Sequence, residues 1–145
     1  MAGQLYVEIV TAERLVYSGP VGYVSAPSVE GRVGILPGHA ALLAALSPGE
    51  LRLQPRDEEE EISLAIGGGF LEVSGNRVIV LAHSAERATE IDVQRAMQAR
   101  ERAIARLQSR GENIDSERAK AAMARAEARL RVAEHYRRTH PGEGR

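Results

Sequence analysis

Two hydrophobic periodicities divide this chain. Between residues 5 and 82, short β-favouring runs recur at close spacing: Leu5–Val10, then 15–18, 21–26, 51–54, 62–66, 70–73 and 77–81, separated by Gly, Pro, Asn and acidic clusters. That pattern predicts an antiparallel sandwich or barrel, with a tight hairpin at Ser74-Gly75-Asn76 between the last two runs. Beyond Glu90 the repeat becomes helical. Ala96, Ala99, Ala103 and Leu107 fall on one stripe, and Ala119, Ala122, Ala126, Leu130 and Ala133 on another. The segment 109–113 supplies a reversal, Gly111 being a natural helix stop, so two antiparallel helices of roughly 27 and 36 Å are expected. The fold class is therefore α+β: an antiparallel sandwich or barrel over residues 1–86 and a helical hairpin over 87–145, with 141–145 as a frayed end.

Both helices open in the same way. Ile91-Asp92-Val93-Gln94-Arg95-Ala96 matches Ile114-Asp115-Ser116-Glu117-Arg118-Ala119, each with an apolar anchor, a capping Asp and an Arg three residues later. Their shared seam is alanine-rich. Burying a methyl yields about 0.8 kcal/mol, against roughly 1.5–3 for a Leu side chain, so the hairpin is expected to be weakly held and able to open or swing.

Charge sharpens the division. The formal net charge is -1, yet residues 1–86 carry 5 basic and 11 acidic side chains, whereas 87–145 carry 14 and 9. A basic tail on an acidic body can fold back on it or seek an acidic partner. Lys120 is the only lysine among the 19 basic residues, a bias that suits bidentate contacts to carboxylates or phosphates and that a GC-rich genome also produces. The acidic run at 57–61 reads first as a solvated loop and otherwise as a contact surface.

Several chemistries are disfavoured. There is no Cys, hence no disulfide, thiolate nucleophile or Cys-ligated zinc. With one Phe and no Trp, stacking on nucleic-acid bases is not expected, and the core must be aliphatic. No apolar run reaches 18 residues and the first residues lack a basic flank before an apolar stretch, so a soluble protein made in the cytoplasm, without membrane insertion, is expected. His39, His83, His135 and His140 have no metal-ligand spacing. Gly67-Gly68-Gly69 lacks the partners of a phosphate loop, and no Gly-x-Ser-x-Gly turn is present. No catalytic residues are expected; an enzyme using His39 as a general base is the weakest reading.

An anion site is better supported. Arg95 and Arg102 share one flank of the first helix, Arg125 and Arg129 one flank of the second, and a reversal near Gly111 sets Arg129 opposite the neighbourhood of Arg95. Four guanidiniums could converge on a phosphate-binding patch. The plainer alternative makes Asp92 only a cap paired with Arg95, and Arg125 and Arg129 solvated.

At Gly34-Ile35-Leu36-Pro37-Gly38-His39-Ala40, Leu42-Leu43 and Leu46-Ser47-Pro48-Gly49, then through Gly68-Gly69-Phe70-Leu71-Glu72-Val73, Val80-Leu81-Ala82 and Ala85-Glu86 into the tail, the chain closely resembles the epsilon subunit of F-type ATP synthases. The resemblance covers essentially the whole chain. It implies a sandwich of about ten strands and a helical hairpin, mounted on the rotor beside gamma and above the c-ring, at the cytoplasmic face of a bacterial membrane. By the same resemblance the loop 28–34, with Arg32, faces the c-ring, and Gly38 and His39 face gamma. Arg32 replaces a commonly acidic residue and His83 a common Asp, so neither position's partners carry over.

Some bacterial relatives bind ATP in the folded hairpin through an Ile/Leu-Asp-x-x-Arg-Ala motif, which residues 91–96 match. The resemblance then implies that Glu86 and Asp92 meet the adenine edge and that Arg95, Arg102, Arg125 and Arg129 address the phosphates or stack nearby, with Ile91 completing the motif. ATP, alone or with Mg, would be a regulatory ligand without hydrolysis. The hairpin would be folded with ATP, or extended along gamma toward alpha and beta, where it would inhibit hydrolysis. The rival is a free-standing ATP-binding sensor module.

Overall fold

The computed structural model describes residues 3–57, 60–109 and 115–142. Seven strands form the body: β1 (Leu5–Val10), β2 (Leu15–Ser28), β3 (Gly31–Ile35), β4 (Leu42–Pro55), β5 (Ile62–Ser74), β6 (Arg77–Ala82) and β7 (Ala85–Arg87). A 3-10 turn (Ala88–Glu90) leads to α1 (Val93–Gln108) and α2 (Ser116–Thr139). The expected reversal at Gly111 and the last residues, 143–145, lie outside the described residues.

The strand count is lower than the expected ten or so because three strands run 13 or 14 residues through positions that read as breaks. β2 crosses Gly19-Pro20, β4 crosses Pro48-Gly49, and β5 crosses the glycine triplet. Glycine there bends the strand without ending it. Gly68 and Gly69 have φ of 98° and 143°, and a Cβ on Gly69 would lie 2.1 Å from the Leu81 carbonyl oxygen. A side chain is sterically barred where β5 folds over β6.

The sheet order is β1-β6-β5-β4-β2-β3, and β1 also pairs with β2, so five strands close into a ring that carries β3 and β7 on its margins. All pairings are antiparallel except β1 with β6. Alternation decides what enters. Leu5, Val7 and Ile9 of β1 and Val78 and Val80 of β6 have no exposed surface, and Leu51, Leu53, Leu64 and Leu71 complete an aliphatic core. The hairpin between β5 and β6 is as predicted: Ser74 pairs with Arg77, and Gly75 and Asn76 both have positive φ, as a two-residue primed turn requires.

The tail forms its two helices with the expected caps. Asp92 accepts from the Arg95 backbone N–H and Asp115 from that of Arg118, each at 3.1 Å. α2 lies on β4 and β5, and α1 packs on α2. At 100° per residue, Ala119 and Ala126 share one side of α2, while Ala128 and Val132 share the opposite side with Arg125 and His135, and Arg129 lies on the flank between the two. All four apolar residues are buried. The first side meets the α1 alanines Ala96 and Ala103, also buried; the second faces the sandwich. Sequence reading found only the first, because the second is short and interleaved with charge.

The basic tail does fold back on the acidic body. Arg129 pairs with Glu86, His135 with Glu50, and His140 with Glu60 of the acidic run. Glu60 thus joins that run to α2, while Glu58 and Glu59 lie outside the described residues.

Candidate functional site

Three elements converge where the hairpin leaves the body. β7 ends beside the 3-10 turn, whose geometry is fixed by Glu90: its carboxylate accepts from the Arg87 backbone N–H at 2.9 Å and from Arg14 at 3.2 Å. The Arg87 hydrogen bond is the main reason the Glu90 carboxyl is held below the usual range, outweighing its slight burial; Arg14 adds to it. This anchors Glu86 on one side of the turn and Asp92 on the other.

Between β7, α1 and α2 is a cleft of about 190 Å³ lined by Glu86, Asp92, Arg95, Ala96, Ala99, Arg102 and Arg129. Five of the seven residues expected to contact ATP therefore meet around one cavity. Ile91 and Arg125 are not among its walls. Ile91 closes the 3-10 turn, its N–H donating to the Ala88 carbonyl at 3.3 Å. Arg125 lies one turn before Arg129 on α2, its stem over Gly67, where a Cβ would be 3.0 Å from the Arg125 Cδ. The glycine lets an arginine stem rest on the sheet.

Chemically, the cleft sets two carboxylates against three guanidiniums. Arg129 Nε donates to Glu86 across it. The Asp92 carboxylate is engaged by its helix N-terminus, whereas the Arg95 side chain is not used by the cap, which takes only its backbone N–H. Ala96 and Ala99 floor the cleft with little more than methyl groups; their small size, read first as a seam, also leaves the space open. Ligand pockets usually run to roughly 300–1,000 Å³, so a nucleotide would require Arg129 to release Glu86 and α1 to shift outward.

The beta-sandwich domain of the ATP synthase delta/epsilon chain matches residues 4–88, and its long alpha-helix domain matches residues 89–134. The chain belongs to the ATP synthase delta/epsilon family. ATP synthase epsilon chains are among its relatives: that of Carboxydothermus hydrogenoformans is 52% identical over 110 residues, 76% of this chain and 81% of the relative. That of Herpetosiphon aurantiacus is 55% identical over 106 residues, 73% and 76% of the two chains. A chain of the Euglena gracilis mitochondrial ATP synthase, in an assembly of OSCP, F1 and c-ring, superposes with a TM-score of 0.79 at 26% identity, covering 91% of this chain and 82% of its own. A chain from the central stalk and c-ring assembly of the Tetrahymena thermophila mitochondrial ATP synthase shares the fold, with a TM-score of 0.54 at 18% identity over 92% and 96% of the chains. The resemblance read from the loop and strand motifs is thus correct, and the chain is a non-catalytic, epsilon-type subunit.

Within this epsilon-family sandwich, Arg32 and His39 are locally committed. Arg32 on β3 turns back to its own sheet, donating to Ser25 Oγ at 2.8 Å and to the Glu50 carbonyl at 2.6 Å. Burial, with the neighbouring Arg52 charge, lowers its pKa. The tip of the loop from β2 to β3 instead presents Val29, 63% exposed. Gly38, at φ 88°, donates its N–H to Asn76 Oδ1 at 2.7 Å, tying the Pro37-Gly38 turn to the β5–β6 hairpin, and His39 Nδ1 lies 2.7 Å from the Ala40 carbonyl.

Sequence reasoning missed the Glu50–His135 contact. His135 Nδ1 is 2.9 Å from a Glu50 oxygen that also accepts from Ser63 Oγ. The residues are 85 positions apart, and no local pattern signals such a pair.

Proposed function

We propose that this epsilon-family chain is a rotor part of an F-type ATP synthase, peripheral to the bacterial membrane on its cytoplasmic side, that couples gamma to the c-ring. In this reading its hairpin carries a regulatory ATP site. The observation that carries the site is the convergence of Glu86, Asp92, Arg95, Arg102 and Arg129 on a cleft whose walls come from both body and hairpin. A ligand there bridges the two and stabilises only the docked form, by RT ln(1 + [L]/Kd), about 2.7 kcal/mol at a hundredfold excess. The buried body-facing side of α2, Ala128 and Val132, sets a docking energy of comparable order. Undocked, the hairpin would reach along gamma toward alpha and beta and oppose hydrolysis.

Docking on gamma is supported by an apolar row across the outer face of the sandwich. Ala45 pairs with Phe70, Phe70 with Leu81, Leu81 with Val10 and Val10 with Leu15. Phe70, Leu81 and Leu15 are each more than half exposed. A continuous apolar band of this kind marks a protein interface. The Euglena relative belongs to an assembly with OSCP, F1 and the c-ring, which supports the ring as a neighbour.

Arg95→Ala removes a phosphate partner while leaving the Asp92 cap, which uses only the backbone. Calorimetry on the isolated chain should show ATP binding weakened by about 1.5–3 kcal/mol, roughly ten- to a hundredfold, with the sandwich still folded. Unchanged affinity refutes the site.

A further inference from the structure

The contact between α2 and β4 plays no part in the nucleotide cleft. Glu50 on β4 has a side chain only 12% exposed, whereas the His135 ring is 32% exposed and in touch with solvent. The carboxylate is held from three directions: Ser63 Oγ of β5 donates to it, Arg52 Nε lies 3.5 Å from its second oxygen, and His135 Nδ1 approaches at 2.9 Å. Other charges face the pair. Arg32 of β3 is bound to the Glu50 carbonyl, and Arg131 of α2, one turn before His135, lies close enough to Arg32 to repel it. Glu60 and Glu61, from the segment between β4 and β5, line the same small cavity as His135.

We infer that Glu50 and His135 form a proton-dependent clasp that fastens the hairpin to the sandwich, tightening docking when the imidazole is protonated and loosening it when the proton leaves. The partners sit on the two bodies that separate, so their bond exists only in the docked form. An imidazolium N–H to a carboxylate is charge-assisted and roughly twice as strong as the bond from neutral imidazole. Glu50, Glu60 and Glu61 stand around the imidazole as carboxylates, and Arg32, Arg52, Arg131 and His140 as the cationic or basic groups of the same neighbourhood. With neutral imidazole, Glu50 keeps Ser63 and Arg52, so the clasp slackens without leaving a bare buried charge.

Burial pushes the Glu50 carboxyl up, but hydrogen bonds from Ser63 and His135 and the Arg52 charge together hold it below the usual carboxylate range. Glu50 therefore stays ionised wherever an imidazole titrates. By linkage, the form that gains from the proton is favoured by acid, so docking strengthens as pH falls from 8 to 6, by roughly three- to tenfold.

The inference rests on the proposed two-state hairpin, and one experiment separates the two. The chain has no native Cys, so Glu72→Cys on β5 and Glu127→Cys on α2, both exposed, can carry a donor–acceptor dye pair on the full chain. The dye distance is read from pH 8 to 6, with and without ATP. The expected result is a docked fraction that rises toward pH 6, and a flatter profile in both His135→Gln and Glu50→Gln. His140, beside Glu60, is present in every variant, so the difference between profiles isolates the clasp. Superimposable wild-type and His135→Gln profiles overturn the clasp; if ATP still compacts the chain, the nucleotide reading survives. A distance unmoved by either pH or ATP overturns both.

Discussion

Val132→Ala is the sharpest test of the hairpin as a separable unit. Val132 is wholly buried and shares its side of α2 with Arg125 and His135, with Arg129 on the flank; all three reach the body. Truncation removes two methyl groups, about 1.6 kcal/mol at 0.8 each, and the remaining void raises the loss to about 2 kcal/mol. Since 1.4 kcal/mol is tenfold, opening of the hairpin should rise roughly thirtyfold. Native-state amide exchange reads this residue by residue. The α2 amides that exchange through undocking should lose about 2 kcal/mol of protection, while those of β5 and β6, in the closed ring, should keep theirs. Equal losses in the β5–β6 ladder and in α2 would mean that body and hairpin unfold as one, and the mobile-hairpin reasoning would fail.

Other outcomes follow from the same geometry. Gly69→Ala forces a Cβ against the Leu81 carbonyl at a φ of 143° and should destabilise the sandwich by at least about 3 kcal/mol, seen as a large drop in Tm; a change below 1 kcal/mol would refute the steric account of β5. Glu50, its carboxyl held low in the folded chain, contributes stability that is fully present above the unfolded carboxyl range, about pH 4.3, and is lost as pH falls through its lower folded value. Glu50→Gln should therefore be less stable than wild type at pH 6, with the gap closing on acidification. A gap that widens below pH 4 would contradict the ionised Glu50.

Much of this was legible because the signals were local. Gly75 and Asn76 form a hairpin turn wherever alternating apolar residues flank them, and Asp92 and Asp115 cap helices through bonds to residues three positions on. The arginine spacings on two predicted helices already set Arg95, Arg102 and Arg129 toward one another, and they meet at one cleft. The failures were non-local. Gly67-Gly68-Gly69 reads as a gap between two runs and as a place where backbones can approach closely; the approach is present, against Leu81 and Ala82 of β6, but a sequence does not reveal that one strand continues through it. Arg125 is one turn from Arg129 and was grouped with it, yet its stem is drawn to the gap over Gly67. The second buried side of α2, with Ala128 and Val132, was hidden because charged residues are interleaved with it: Arg129 and His135 find partners on the body, and the Arg125 stem lies over Gly67.

The pairing of β1 with both β2 and β6 joins the ends of the strand order into a hoop. A hoop has no seam: pulling at one rim loads several ladders of hydrogen bonds in parallel rather than peeling one strand at a time. The helices add nothing to that circuit, since they rest on its outside. In the proposed two-state reading they depart and return while the hoop stays closed, which would put stiffness and adjustability in separate stretches of one short polypeptide.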